Sequence, residues 1–282
     1  SKGPGFSVCN TCFQTETARC NKATAAEYYD DDLDKPFSGG SFRWAAMGVY
    51  TEGERKGQKC VCKWFKKKGQ LELDYFSMDI TTSEEAIQIV SEWNAKKDID
   101  RMIKVNLPEV WTFDENDGGK GWAGRKVIQE PFIENFEKFN SNSGWANDAF
   151  PWARVMQALS HFSYHSSNRE LLLCDLQGAV YRNGVVLTDP AIMSQNRRFG
   201  PTDLGPKGIS SFFAGHTCNE FCKRGWLLPD DRNQYHKQSR GSTMEHLSSK
   251  RSRDVMSSTA VALFPSTKQK KAATRDCKAR YK

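Results

Sequence analysis

An α+β architecture is what the residue pattern predicts, and three observations lead to it. β-prone residues separated by glycine turns fill residues 36–65, whereas helical periodicity marks residues 82–97 and 148–165. The apolar run Leu171 to Cys174 leads into Ala179 to Arg182, then Asn183-Gly184, then Val185 to Thr188, which reads as a strand followed by a hairpin. The stretch His216-Thr217-Cys218-Asn219-Glu220-Phe221-Cys222 puts three metal-capable side chains in H-x-C-x₃-C spacing, close enough to share one Zn²⁺. With 282 residues, 38% hydrophobic content, 17 Phe and 8 Trp, there is ample material for one large domain or two lobes.

Composition excludes some classes of function. The formal net charge of +7 is concentrated at the end: residues 231–282 hold 13 Lys/Arg against 4 Asp/Glu, leaving 28 against 30 in residues 1–230. A near-neutral body argues against a nucleic-acid-binding face on the folded part. No apolar run approaches the ~20 residues of a membrane helix. The nine cysteines are odd in number, with no secretory signal before them, so they read as reduced thiols and metal ligands. That places the chain inside the cell, in the cytoplasm or also the nucleus.

Taken in order, residues 1–35 are a polar extension. Cys9 and Cys12 form a CxxC with Cys20 beyond, but a lone pair with no matching partner does not define a zinc site. Glu27 to Asp34 is an acidic, solvated lead-in. Ser38-Gly39-Gly40-Ser41 is a turn whose backbone N–H groups are able to cradle phosphate, ahead of strands at Phe42 to Tyr50 and Lys59 to Phe65. Lys63 sits mid-strand. For Thr82 to Lys97, Thr82 and Glu85 predict a capping box, and Ala86, Val90 and Trp93 a buried stripe. Val105 to Phe113 and Lys126 to Phe132 read as extended, with a loop at 114–124 and a crossing at Asn140 to Gly144. In the helix Asp148 to His165, Trp152, Val155, Met156, Leu159 and Phe162 form one face, and His161 and His165 share a side.

The strand Leu171 to Cys174 delivers Asp175. A two-residue loop at Asn183-Gly184 pairs Arg182 with Val185 and Gly178 with Asp189, folding Asp175, Gln177 and Asp189 into one small region. Two carboxylates and an amide oxygen suit Mg²⁺; a surface hairpin with solvated acids fits the same spacing. Gly200 to Gly205 is a glycine-bounded loop without the flanking strand and Lys-Ser/Thr of a P-loop. Residues 231–282 are rich in Ser, Lys and Arg and are expected to be mostly without structure, serving as a docking tail, a nuclear localisation signal or a nucleic-acid-binding arm.

The motifs Asp-Leu-Gln-Gly (175–178), Thr-Asp-Pro-Ala-Ile (188–192), Phe-Gly-Pro-Thr-Asp-Leu-Gly-Pro-Lys-Gly (199–208) and His-Thr-Cys-Asn-Glu-Phe-Cys (216–222), in this order, resemble the alpha-kinases, the atypical serine/threonine kinases. The resemblance covers about 36–226. Arg182-Asn183-Gly184 looks like a small insertion, since many members have a shorter link there. The resemblance implies a bilobal atypical protein-kinase fold, with a β-rich N-lobe at about 36–135 and a zinc-stabilised mixed C-lobe at about 140–230. It implies ATP, Mg²⁺ and a structural Zn²⁺ as cofactors, and Ser or Thr of proteins as acceptors; with a kinase, the many Ser and Thr of residues 231–282 also suit an autophosphorylation tail. By the same likeness, Asp175 is the base, Lys63 and Arg43 meet the ATP phosphates beside Gly39 and Gly40, and Gln177 and Asp189 hold magnesium. Glu130 would read the adenine, and Gly200, Asp203 and Gly205 would lie beside the acceptor peptide. His161 would complete a zinc site with His216, Cys218 and Cys222, with His165 as its competitor. A catalytically weak kinase-like binding module, and a basic zinc protein binding nucleic acid through its tail, are the alternative readings.

Overall fold

The computed structural model describes residues 20–40, 43–66, 71–115, 121–147, 150–244 and 270–275. Cys9, Cys12, Ser41, Phe42, Asp148 and the tail at 245–269 and 276–282 lie outside them. In the first half the elements are β1 (Ala23–Tyr29), α1 (Asp30–Asp34), β2 (Ser38–Gly39), β3 (Arg43–Gly53), β4 (Lys59–Phe65), α2 (Leu71–Ala95), β5 (Met102–Val105), β6 (Glu109–Phe113), β7 (Lys126–Pro131) and β8 (Glu137–Lys138). There follow α3 (Pro151–Ser166), β9 (Leu171–Cys174), β10 (Gln177–Tyr181), β11 (Gly184–Leu187), β12 (Ala191–Ser194), α4 (Gly205–Gly215) and β13 (Lys270–Arg275).

Alternating apolar residues fold the upper lobe into an antiparallel sheet of order β1-β13-β6-β7-β4-β3-β2. β1 also pairs with β3, so the sheet curls round on itself and covers edges that would otherwise be open. Its interior is filled by Ala26, Tyr28, Tyr50, Cys60, Cys62, Trp111 and Phe113. Two of these strands correct the sequence reading. β1 lies in the extension read as polar and runs into the solvated lead-in read from Glu27, yet it buries Ala23, Ala26 and Tyr28. β13 lies in the tail expected to lack structure, yet it is hydrogen-bonded between β1 and β6 and buries Ala273. Pairing on both sides offsets the entropy that the composition of the tail alone could not.

The lower lobe packs Ala86, Val90 and Trp93 of α2 against Met156, Leu159 and Phe162 of α3 and against Leu173, Leu187 and Ile192. α2 begins at Leu71, not Thr82. The Thr82 hydroxyl donates to the Met78 carbonyl at 2.7 Å, in the body of the helix, so the predicted capping box does not exist. The extended piece predicted at 105–113 is divided: β6 joins the upper sheet, while β5 pairs in parallel with β11 in a lower sheet of order β5-β11-β10-β8. β9 and β12 form an antiparallel pair beside it.

The hairpin turn sits one residue earlier than predicted, which moves each cross-strand partner by two residues. Tyr181 pairs with Gly184 and Gly178 with Leu187, so Arg182 and Asn183 make the turn. Neither has positive φ, and a type I′ turn requires it of both central residues. Asp189 therefore lies beyond the ladder instead of opposite Gly178. Gly178 has φ 154°, and a Cβ there would sit 1.9 Å from the Val186 carbonyl oxygen. Gly178→Ala is expected to cost on the order of 3 kcal/mol of folding stability, seen as a lower denaturant midpoint. An unchanged midpoint would mean this close approach does not exist.

Candidate active site

Alternation along β4 builds the upper wall of the site. Cys60, Cys62 and Trp64 pack into the sheet interior, so Val61, Lys63 and Phe65 face a cavity of about 1040 Å³ that is bounded below by Asp175, Gln177, Thr188 and Asp189. Gly39, Gly40 and Arg43 line the same cavity. The structure thus brings the predicted phosphate, magnesium and base residues to one cleft. Asp175, just after β9, and Asp189, just after β11, have φ of 59° and 47°, a left-handed backbone that Asp tolerates better than most residues.

Lys63 is the hub. Its Nζ lies 2.6 Å from Glu130 Oε2 and also donates to Asp189 Oδ2. Burial alone would lower the Lys63 pKa, but the charges of Asp189 and Glu130 outweigh it and hold the ammonium above its usual range. Burial would raise Asp189, yet Lys63 and Arg43 pull it below the usual carboxylate range. Burial pushes Glu130 up, against the pull of Lys63. Glu130 also accepts the Thr188 hydroxyl at 2.9 Å on both oxygens. A carboxylate so committed is the ion-pair partner of Lys63 on the wall of the cleft. Arg43 pairs with Asp79 of α2, whose burial raises its pKa to about 6 despite that partner.

Asp175 is buried, with Lys138 Nζ 2.6 Å from its Oδ1 and the Ser242 hydroxyl donating to its Oδ2. Gln177 Nε2 donates to the Asp189 carbonyl at 3.2 Å, which turns its amide oxygen away from that carbonyl. Sequence reasoning missed Asp79, Lys138, Thr188 and Ser242. Lys138 precedes the crossing read at Asn140 to Gly144 and has no role of its own in the sequence reading; β8 pairs it with Gln177, which puts it beside Asp175. Nothing local in the sequence signals that pairing.

The glycine loop is held by one buried carboxylate. Buried Asp203 accepts from Ser194 N (2.9 Å), Ser194 Oγ (2.6 Å), Phe199 N (3.2 Å) and Gly205 N (2.9 Å). Its carboxylate shapes the loop, whose Pro201 and Thr202 line the cavity. Gly200 and Gly205 take φ of 81° and 65° at the bends of this loop.

The second cluster lies at the base of the lower lobe, where α3 meets the segment after α4. One ligand atom each from His161, His216, Cys218 and Cys222 lies within 4.8 Å of the others, so the group is able to hold a metal ion. His161 Nε2 is 3.0 Å from the Leu227 carbonyl, which only accepts; the proton is therefore on Nε2 and the lone pair of Nδ1 faces His216 Nε2 at 3.2 Å. Burial, with His165 adding to it, lowers His161; burial and His161 lower His216 to about 4. Both imidazoles are thereby kept neutral, as metal ligation requires. His165 is outside the cluster: it accepts from Leu227 N at 3.3 Å and stacks on Trp226. Cys20 is buried and donates to the Leu107 carbonyl, in no metal-ligating group among the described residues.

Known proteins share the sequence pattern and the fold. The model of the alpha-kinase family matches residues 38–222. Alpha-protein kinase vwkA of Dictyostelium discoideum is 32% identical over 204 residues, 69% of this chain and 31% of that protein. Human eukaryotic elongation factor 2 kinase is 33% identical over 228 residues, 74% of this chain and 29% of that protein. The chain thus spans less than a third of either relative. Among solved structures, the alpha-kinase domain of myosin heavy chain kinase A in complex with AMP superposes with a TM-score of 0.58 at 22% identity, covering 71% of this chain and 96% of that one. An alpha kinase from Entamoeba histolytica gives a TM-score of 0.57 at 21% identity, covering 80% of this chain and 100% of that one. The chain belongs to the alpha-kinase family, whose members are ATP-dependent protein kinases, and it has that family's bilobal α+β fold.

Proposed function

We propose that this chain transfers the γ-phosphoryl group of ATP to Ser or Thr hydroxyls of protein substrates. The observation that carries the reading is the convergence of Lys63, Asp189 and Asp175 on one cleft. Asp175 Oδ2 takes the acceptor proton, and Lys138, 2.6 Å from Oδ1, keeps that carboxylate aimed. Lys63 and Arg43 face the phosphates beside Gly39 and Gly40, and Glu130 holds Lys63 in place. The Asp189 carboxylate and the Gln177 amide are the hard-oxygen donors for Mg²⁺, which when bound neutralises phosphate charge. The remaining contribution is positioning: the acceptor oxygen, the base and the phosphates are held in one frame.

The second cluster fits a structural zinc site, with His161, His216, Cys218 and Cys222 as a closed ligand set clamping α3 to the segment after α4. The thiols of Cys20, Cys60, Cys62 and Cys174 are buried and free, which suits a reducing, cytoplasmic setting. Among the described residues, no helix is long and apolar enough to cross a membrane.

Lys63→Met tests the phosphate site. It leaves buried Glu130 with Thr188 and without its counter-charge, at an expected cost of about 3 kcal/mol in stability, and calorimetric titration should show Mg·ATP binding weakened at least tenfold. Unchanged ATP affinity would remove Lys63 from the phosphates. The pair also sets a pH dependence. Asp189, lowered in the fold, contributes stability that is present above its ordinary pKa of 3.8 and lost as pH falls through its folded value. Lys63, raised in the fold, contributes below its ordinary pKa of 10.5 and loses that only in more alkaline solution. Asp79 runs the other way: raised to about 6, it weighs against the fold as pH rises from 3.8 to that value.

A further inference from the structure

The tail segment that follows the lower lobe does not run past the active site; it enters it. Arg240, Gly241 and Ser242 line the cavity together with Asp175 and Lys63. The Ser242 hydroxyl donates to Asp175 Oδ2, and Lys138 Nζ lies 3.4 Å from Ser242 Oγ. The backbone on either side is gripped by two buried side chains. Asn142 Nδ2 donates to the Thr243 carbonyl at 2.7 Å while Asn142 Oδ1 accepts from the Thr243 N–H at 2.9 Å. Ser143 Oγ accepts from Ser239 N at 3.0 Å and donates to the Ser239 carbonyl at 3.3 Å. These four bonds read only main-chain groups, so they hold a peptide whatever its side chains. They present one hydroxyl, that of Ser242, to the carboxylate assigned above as the base.

We propose that residues 239–243 are an acceptor peptide bound in cis, and that Ser242 is phosphorylated intramolecularly by this site. The inference rests on the kinase reading and adds to it the modified residue and the backbone clamp of Asn142 and Ser143. In the step, Ser242 Oγ forms a bond to the γ-phosphorus of ATP, the bond from that phosphorus to the β,γ-bridging oxygen breaks, ADP leaves and the hydroxyl proton passes to Asp175. Once Asp175 has released that proton to solvent, the product sets a phosphate dianion against its carboxylate. Like charges at that distance repel, so the modified segment leaves and frees the clamp for peptides of other proteins. The unmodified segment is therefore a built-in competitor for external substrates.

The test uses the full chain with Mg·ATP over a hundredfold range of protein concentration. Phosphate is mapped by fragmentation mass spectrometry, and labelling of a synthetic peptide spanning residues 236–247 is followed in the same reaction. The expected result is phosphate on Ser242 with a first-order rate constant independent of protein concentration. Thr243→Pro, which removes the N–H that Asn142 accepts, should slow Ser242 labelling about tenfold and raise labelling of the external peptide. Three results overturn the proposal: phosphate on Thr243 in place of Ser242, a rate proportional to protein concentration, or no effect of Thr243→Pro on either acceptor. If the peptide is labelled and Ser242 is not, the cis acceptor is wrong and the kinase reading stands. If neither is labelled, both fail.

Discussion

Asp175→Asn is expected to lower kcat by a factor on the order of 10²–10⁴ while leaving Mg·ATP affinity within about twofold of the parent. The amide keeps the size and hydrogen-bonding reach of the carboxylate but cannot take the acceptor proton. The nucleotide contacts proposed for Lys63, Arg43 and Asp189 are untouched, so substrate binding and chemistry should separate cleanly. Lys138 loses its counter-charge at 2.6 Å, and some loss of thermal stability is expected as well. Measuring kcat and ATP affinity on the same folded preparation keeps the two effects apart. A variant with kcat within threefold of the parent would show that Asp175 is not the base.

Removing metal from the second cluster is expected to be the most destabilising change. A chelator, or Cys222→Ser, should lower stability by on the order of 5 kcal/mol or more, because for a closed structural site the binding free energy is folding free energy. The cause is local: two neutral imidazoles and two thiols face one another across 4.8 Å or less and close the joint between α3 and the segment after α4. Elemental analysis should find one zinc per chain, and readdition of Zn²⁺ should restore the melting temperature. A chelated protein that is metal-free and melts unchanged would reduce the cluster to packing.

What could be read from the sequence follows from the range of the interactions. β4, β9 and α3 are visible because their apolar period is local, and so is the return of the chain that brings Asp189 near Asp175. The hairpin register is not, because Asn183-Gly184 favours a turn that the ladder closing at Gly184 prevents. The roles of β1 and β13 are invisible in isolation: each is a modest strand whose stability comes from partners far away in the chain. Glu130 and Asp203 show the same limit in the site. Their residue type marks them as functional, but whether each carboxylate faces a ligand or is consumed by Lys63, Ser194 or Gly205 depends on contacts between separate elements. Lys138 and Asp79 gain their meaning wholly across such contacts.

The central claim is that one cleft holds ATP between Lys63 and Asp189 and delivers its terminal phosphoryl group past Asp175. Transfer of label from γ-labelled Mg·ATP to Ser or Thr of a peptide acceptor tests it most directly, with Asp175→Asn run alongside. The account predicts label on hydroxyl side chains with the parent chain and near-background label with the variant. Bound nucleotide with no label transferred by the parent, or equal transfer by both, would contradict it.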